Sequence, residues 1–252
     1  MKKSIKFLLM LFLASIIFTS CKKGGDGESE EVVTEKELRT KVPTVAPQTL
    51  YLILSAGTSV ELVKRGDAFI STNYVPLEVE KSYSFNTKAD GSGTSYIIKD
   101  PLSAYDYAND DKVIWDDPLL EVVQGKGKFS VARSQAYQLS VNFGVAQLTW
   151  QYHNIKLFHY TDWATRTEVL LSYKHPLTFE RTLALPANNY LKFYSVNPDW
   201  LEWGGTEENN LTGNLTGTGG KDIIAVKDAG NYKVSITLNG DLKAGTYAFT
   251  KQ

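Results

Sequence analysis

Short strand-forming segments separated by turn residues fill the sequence from about residue 43 onward. Two of them, residues 137–143 and 232–238, alternate apolar and polar side chains at every position. In a β-strand this alternation places the apolar side chains on one face, against a core, and the polar ones on the face that meets water. Because no long segment of this region has helical spacing, the sequence predicts an all-β body.

The same two segments belong to an internal repeat with an offset of 95 residues. At this offset Tyr137, Leu139, Val141 and Phe143 align with Tyr232, Val234, Ile236 and Leu238, and upstream Phe129 and Val131 align with Ile224 and Val226. A second correspondence joins the apolar segments 50–54 and 155–158. Units of roughly 100 residues are large enough for independent cores. We therefore predict two tandem β-sandwich modules, residues 45–150 and 151–252.

The first 20 residues have the pattern of an export signal. Lysines at positions 2, 3 and 6 precede an apolar run over residues 7–18, and small polar residues follow it. The run is shorter than the roughly 20 apolar residues that a membrane-spanning helix needs. We predict that residues 1–20 are a signal peptide.

Residues 18–21, Phe-Thr-Ser-Cys, resemble the bacterial lipobox, in which a diacylglyceryl group is attached to the thiol and the chain is cut before the cysteine. Cys21 is the only cysteine, so no disulfide or thiolate metal cluster is possible downstream. The alternative is an ordinary secretory signal with an incidental thiol. Residues 21–44 are predicted to be the lipidated cysteine and a flexible tether. Its acidic run resembles the surface-export signal of Bacteroidetes lipoproteins, which implies a lipid-anchored protein on the outer face of the outer membrane.

The composition excludes some functions and leaves others open. Removal of the signal leaves 24 basic and 28 acidic residues, which gives no electrostatic basis for nucleic-acid binding. The three histidines lack metal-ligand spacing, and nucleophile elbows and phosphate-binding glycine loops are absent from the sequence. The acidic cluster between Asp106 and Asp117 is either a calcium-binding loop or a solvated loop. We expect no catalytic site, metal or cofactor. The alternative is a glycoside hydrolase, which needs only two carboxylates that face each other across a cleft.

Tryptophans in the second unit suggest a ligand. Trp200 and Trp203 lie in a segment that reads as a loop, and Trp163 lies in an earlier one. Sugars present an apolar C–H face on which a flat indole stacks, and a large exposed aromatic is otherwise a poor use of apolar surface. The alternative is that Trp200 or Trp203 plugs one end of the sandwich.

Four motifs follow one another in this unit: Leu-Lys-Phe at 191–193, Trp-Leu-Glu-Trp-Gly-Gly at 200–205, Gly-Gly-Lys-Asp-Ile at 219–223 and Asp-Ala-Gly-Asn-Tyr-Lys-Val-Ser-Ile at 228–236. The series resembles the repeated modules of SusE and SusF, surface lipoproteins of glycan-uptake loci. The resemblance extends from about residue 155 to the C-terminus. It is weaker over residues 50–148, where no tryptophan pair precedes a double glycine.

The resemblance implies non-catalytic binding of starch-like or other oligo- and polysaccharides by aromatic stacking. It implies that Trp163, Trp200 and Trp203 are the aromatic residues that bind the sugar, and that Lys192 and Asn197 make polar contacts. It also implies an outer-membrane location and a TonB-dependent transporter complex as partner. The alternative function is a structural lipoprotein subunit that packs against a transporter or another surface protein and buries its indoles in that interface.

Overall fold

In the computed structural model the described residues are 45–55, 57–98, 120–131, 133–195 and 200–252. All of them belong to one compact unit, Glu35–Gln252. The predicted signal peptide (1–20), the tether (21–44) with Cys21, the acidic cluster at 106–117 and Asn197 lie outside the described residues. Within the described ranges no helix has the length and apolar character needed to cross a membrane.

Among the described residues, the first sheet is formed by nine antiparallel strands. They are β1 (Leu50–Ser55), β2 (Thr58–Arg65), β3 (Ala68–Ile70), β4 (Val75–Leu77), β5 (Ser84–Asn86), β6 (Ser95–Ile98), β7 (Leu120–Gln124), β8 (Gln135–Asn142) and β9 (Gln147–Gln151). The strand order is β3-β2-β1-β5-β6-β7-β9-β8-β4, and β3 also pairs with β8. Leu52, Phe69 and Phe85 are fully buried in the core that these strands enclose.

The second sheet has nine further antiparallel strands. They are β10 (Lys156–Tyr160), β11 (Thr167–Leu170), β12 (Ser172–Lys174), β13 (Thr178–Leu185), β14 (Tyr190–Ser195), β15 (Leu201–Gly205), β16 (Thr212–Thr216), β17 (Gly230–Leu238) and β18 (Ala244–Lys251). Their order is β11-β10-β14-β15-β16-β18-β17-β13-β12, around a second core that contains Leu157, Phe193 and Val234. The prediction of an all-β fold with two tandem β-sandwich modules is confirmed, while the exact limits 45–150 and 151–252 stay predictions.

The two strand orders support the predicted duplication. When β1–β9 are aligned with β10–β18 in chain order, the two strand orders agree at every strand but one. The exception is the third strand of each module: β3 pairs with β2 and β8, whereas its equivalent β12 pairs with β13. Both modules also contain a tyrosine corner, a tyrosine whose hydroxyl donates to a backbone carbonyl a few residues upstream. Tyr137 donates to the carbonyl of Arg133 at 2.7 Å, and Tyr232 donates to that of Asp228 at 2.9 Å.

The predicted match of Phe129 with Ile224 is wrong by one residue. Phe129 forms a β-bridge with Tyr83, and the corresponding bridge of the second module joins Ile223, not Ile224, to Leu191. Ile223 is fully buried, as a core counterpart of Phe129 must be. The offset of 95 therefore holds from the tyrosine corner onward and is one residue shorter at Phe129.

Two glycines, Gly204 and Gly220, allow β15 to cross between the layers of the second module. Residues 201–203 pair with β14, and Gly204 and Gly205 pair with β16. A Cβ on Gly204 would collide with the carbonyl oxygen of Lys221, and a Cβ on Gly220 would lie 2.6 Å from the amide nitrogen of Gly204. Glycines at 204 and 220 are thus required by a close approach of two backbones.

We expect Gly204→Ala to destabilise the protein by about 1–3 kcal/mol, the usual cost of overpacking. For a chain of this size each kcal/mol lowers Tm by roughly 2–4 °C. Gly230→Ala is the matched control, because its Cβ would meet only side-chain atoms at ordinary distances, Lys251 at 3.5 Å and Tyr232 at 4.0 Å. Thermal unfolding of both variants tests the point, and equal Tm values would contradict it.

Candidate functional site

On one outer surface of the second module the strands carry aromatic side chains. The outward face of a strand in a β-sandwich ordinarily carries polar ones. Leu157 of β10 and Phe193 of β14 are opposite each other and point into the core. Because side chains alternate along a strand, Phe158 and Tyr194 project from the other face of the sheet. Both are nevertheless buried, at 0% and 4% exposure. Other side chains must therefore cover this face.

Two tryptophans provide the cover. The ring centroid of Trp163 lies 5.7 Å from that of Phe158 and 5.5 Å from that of Tyr194. Trp200 lies 5.2 Å from Tyr194 and 6.4 Å from Phe158. Each indole is thus supported from below, yet Trp163 stays 40% exposed and Trp200 53% exposed.

Two tyrosines extend this surface. The ring of Tyr160 lies 5.1 Å from Trp163 and 5.8 Å from Tyr190, which is 39% exposed. The aromatic platform, as we call it, consists of Phe158, Tyr160, Trp163, Tyr190, Tyr194 and Trp200. Its floor is buried and its upper surface is open to solvent.

The two indoles are close together and inclined to each other. Because their centroids lie 5.5 Å and 5.2 Å from that of Tyr194, they are separated by less than the sum of those distances, 10.7 Å. Their planes make angles of 39° and 80° with the Phe158 ring, so they differ in orientation by at least 41°. The platform is therefore a curved aromatic surface, not a flat one.

Trp163 is held in place by its own turn and by Arg166. Residues Trp163–Thr165 form a short 3₁₀ helix, and Asp162 caps it by accepting from the amide of Ala164 at 3.1 Å. The Arg166 guanidinium lies 4.5 Å from the Trp163 ring centroid, donates to the Trp163 carbonyl at 3.2 Å and pairs with Glu168 at 3.0 Å. A cation stacked on an indole face is attractive, so Arg166 fixes the orientation of this ring.

Arg166→Ala is accordingly expected to free the Trp163 ring without unfolding the protein, and to weaken the binding of any ligand that stacks on this ring. The lost cation–π contact amounts to about 0.5–2 kcal/mol, which corresponds to a loss of affinity between roughly twofold and thirtyfold. Near-ultraviolet circular dichroism should change as well, because the Trp163 ring becomes mobile. Arg65→Ala, on an exposed strand end of the first module, is the control, and an unchanged spectrum and affinity for Arg166→Ala would refute this role.

Polar groups border the platform. Lys192 of β14 pairs with Glu202 of β15 at 3.6 Å, and Lys156 pairs with Glu168 at the same distance. The Tyr160 hydroxyl donates to Asp222 at 2.8 Å. Lys156 and Arg166 share the Glu168 carboxylate, and Lys192 pairs with Glu202. With Asp222 as a third carboxylate beside Tyr160, these three cations give the surface no excess of positive charge.

The phenols of Tyr160 and Tyr194 stay protonated at physiological pH. Burial, together with the nearby Glu202 and Asp222 carboxylates, raises the pKa of Tyr194 to about 12. Burial also raises the pKa of Tyr160, and its hydrogen bond to Asp222 acts in the same direction. Both hydroxyls can therefore donate hydrogen bonds over the whole neutral pH range.

Trp203 corrects one prediction. It lies opposite Phe193, is 1% exposed, and donates from its indole nitrogen to the carbonyl of Leu242 at 2.6 Å. It is a core residue of the second module, so its assignment to the ligand site is wrong, and the alternative of an indole that fills the sandwich is correct for this position. Trp163, Trp200 and Lys192 lie together on the platform surface, whereas Asn197 lies outside the described residues.

The first module does not repeat the platform at the equivalent place. The strand pairing aligns Ile53 with Phe158, Ser84 with Lys192 and Asn86 with Tyr194. Asn86 is 1% exposed and its side chain bonds to the loop that follows, for example to the carbonyl of Gly91 at 2.9 Å. Within the described part of this module, these positions serve the fold and offer no aromatic surface.

Metal binding finds no support in the described ranges, where no group of histidine, cysteine, aspartate and glutamate side chains is arranged to hold an ion. The acidic cluster at 106–117 lies outside these ranges.

Comparisons with family models and with curated proteins gave no match. Among solved structures the chain is similar to the crystal structure of SusF from Bacteroides thetaiotaomicron, with 15% sequence identity and a TM-score of 0.33. The similarity covers 83% of this chain and 50% of that one, so the chain spans half the length of its neighbour. A TM-score of this size carries no argument about a ligand, and the function must be argued from the platform itself.

Proposed function

We propose that the protein is a non-catalytic carbohydrate-binding lipoprotein, and that the aromatic platform of its second module holds an oligo- or polysaccharide. The observation that carries the proposal is the pair Trp163 and Trp200. Both indoles are seated on buried rings and yet remain 40% and 53% exposed.

A supported but open indole is suited to a sugar. An unsupported surface tryptophan would be free to collapse onto the protein, whereas Phe158 and Tyr194 hold these two rings in fixed positions. Fixed rings lose little conformational entropy when a ligand stacks on them. The bordering Lys192, Glu202 and Asp222 supply hydrogen-bond partners for hydroxyl groups, which is the combination of apolar surface and few polar groups typical of ligand sites.

The geometry favours a neutral glycan with a curved chain. Inclined rings can follow successive sugar units that turn relative to one another, as they do in starch-like α-glucans, while a flat chain would need coplanar rings. Since every cation of the surface is paired with a carboxylate, an acidic glycan would gain no net attraction there. The resemblance of the sequence motifs to SusE and SusF supports the same class of ligand.

The N-terminal motifs support a location of this activity at the cell surface. A signal peptide at 1–20, lipidation at Cys21 and a flexible tether would anchor the module to the outer membrane, where it would serve a TonB-dependent transporter complex. Stacking contacts of single modules are weak, and several tethered sites on one membrane would gain avidity together. Such binding would keep a glycan near the transporter and still allow its release.

The exposed aromatics also suit the alternative of a structural subunit, because Trp and Tyr are enriched at protein interfaces. Isothermal titration calorimetry of the full chain with soluble α-glucans, β-glucans and host-type glycans separates the two functions. We expect saturable binding of an α-glucan. The structural subunit would be favoured if no glycan bound and if pull-down from membranes recovered a stoichiometric protein partner. Capture of that partner should then depend on Trp163 and Trp200.

A further inference from the structure

One corner of the aromatic platform offers a ligand only hydrogen-bond acceptors. It consists of the Tyr160 hydroxyl and the Asp222 carboxylate, which are joined by a hydrogen bond of 2.8 Å. An ionised carboxylate can only accept, so the single proton of the phenol is the one that is donated. The Tyr160 oxygen therefore has only lone pairs left for a ligand, and the second oxygen of Asp222 is a further acceptor of the same corner.

The backbone holds Asp222 in place from both sides. The residue before it, Lys221, exchanges two hydrogen bonds of 2.9 Å with Gly205. The residue after it, Ile223, exchanges hydrogen bonds of 2.8 Å and 2.9 Å with Leu191. A carboxylate between two such bridges keeps its position without a ligand, so little conformational entropy is lost on binding.

Within the described ranges Asp222 forms no ion pair, in contrast to the other carboxylates that border the platform. Glu168 and Glu202 both pair with cations of the platform. The adjacent Lys221 pairs with Glu208, at 3.7 Å. Asp222 can therefore accept hydrogen bonds from a ligand, and such bonds to an ionised acceptor are about twice as strong as neutral ones.

The ring of Tyr160 joins this corner to the stacking surface. It meets Trp163 edge-on, with the ring centroids 5.1 Å apart, and lies 5.8 Å from the ring of the exposed Tyr190. A sugar that stacks its C–H face on aromatic rings carries its hydroxyl groups at the rim, and the phenol oxygen lies at the rim of its own ring. Stacking and hydrogen bonding can thus occur on the same sugar unit.

We infer that Asp222 is a specificity-determining residue of the platform, which fixes Tyr160 as an acceptor and selects sugar units with free hydroxyl groups at this contact. The inference rests on the proposed function of the platform. A unit with an acyl or alkyl group on that oxygen has no proton to donate there. A uronate carboxylate would meet acceptors only, so the selected ligand is a neutral glycan with unsubstituted hydroxyl groups at this position.

Calorimetry with α-glucan oligomers in which one hydroxyl at a time is replaced by fluorine tests the inference, because fluorine cannot donate a hydrogen bond. We expect replacement at one position to weaken binding to the wild-type chain roughly tenfold or more, as for a hydrogen bond to a charged group. Asp222→Ala should bind the parent oligomer more weakly and should no longer distinguish it from the fluorinated one. Asp222→Asn, which keeps an acceptor without the charge, should recover part of the affinity.

The Tyr160 phenol reports independently whether Asp222 holds its proton. Burial raises the pKa of Tyr160 most, and the hydrogen bond to Asp222 and the charge of that carboxylate raise it further. Asp222→Ala should therefore lower the pKa of Tyr160. An alkaline titration followed through the carbon-13 signal of the phenol, assigned with Tyr160→Phe, measures the shift. Glu61→Ala, at an exposed position of the first module, is the control for both experiments.

The outcomes separate the inference from the proposed function. If the wild-type chain binds no glycan, the proposed function fails and the inference fails with it. If the wild-type chain binds parent and fluorinated oligomers equally, only the inference fails. The same holds if Asp222→Ala leaves the preference for the parent oligomer and the titration of Tyr160 unchanged.

Discussion

The variant with both Trp163→Ala and Trp200→Ala is expected to lose measurable glycan binding while its fold stays intact. Aromatic anchors at the centre of a site contribute about 2 kcal/mol or more each, which corresponds to roughly 30-fold in affinity for each ring. Stacking on a single module is weak to begin with, so the loss of both rings takes binding below detection. Calorimetry with the α-glucan that the wild-type chain binds measures the effect.

Both tryptophans lie on an outer surface, so their removal should cost little stability beyond the partial exposure of Phe158 and Tyr194. Leu211→Ala is the matched control, because Leu211 is 43% exposed and lies outside the platform. Unchanged affinity in the double variant, with binding also unchanged in the control, would remove the platform as the site.

Trp203→Ala is expected to have the opposite outcome, a large loss of stability. The side chain is 1% exposed and packs between the layers of the second module, and loss of a buried tryptophan costs about 3–5 kcal/mol. The carbonyl of Leu242 loses its 2.6 Å hydrogen bond as well. We expect Tm to fall by roughly 2–4 °C for each kcal/mol lost, or the second module to fail to fold.

Trp200→Ala is the matched control for this variant, because it also removes an indole ring, but from an exposed position three residues earlier in the chain. Thermal denaturation should show a small change for Trp200→Ala and a large one for Trp203→Ala. Similar Tm values for the two variants would mean that the burial of Trp203 does not support the fold as described.

The segments with alternating apolar and polar residues are the part of the fold that the sequence predicts best. This alternation is a local property, so it is visible without knowledge of the tertiary structure. β8 and β17 follow it, and their pairing with β9 and β18 builds matching halves of the two modules. The exchange of partners by β3 could not be predicted, since the strand has only three residues and its neighbours are chosen by the tertiary structure.

The candidate site was predictable only in part. The sequence predicts exposed rings for Trp163 and Trp200, but it predicts one for Trp203 as well, because residues 201–203 have the composition of a loop. In a strand, Leu201 and Trp203 share one face, and Leu201 does pack against the core. The floor of the platform escaped prediction for a different reason. Phe158 and Tyr194 come together only because β10 pairs with β14, a contact across the module that no local pattern encodes.

The most direct test of the whole account is a titration of the full chain with an α-glucan oligomer, followed through the indole N–H signals in nuclear magnetic resonance spectra. Single substitutions of Trp163 and Trp200 by phenylalanine assign their signals. The platform predicts saturable shifts of the Trp163 and Trp200 signals and an unchanged Trp203 signal. Binding that leaves both platform indoles unshifted, or no shift anywhere with the glycans tested, would contradict it.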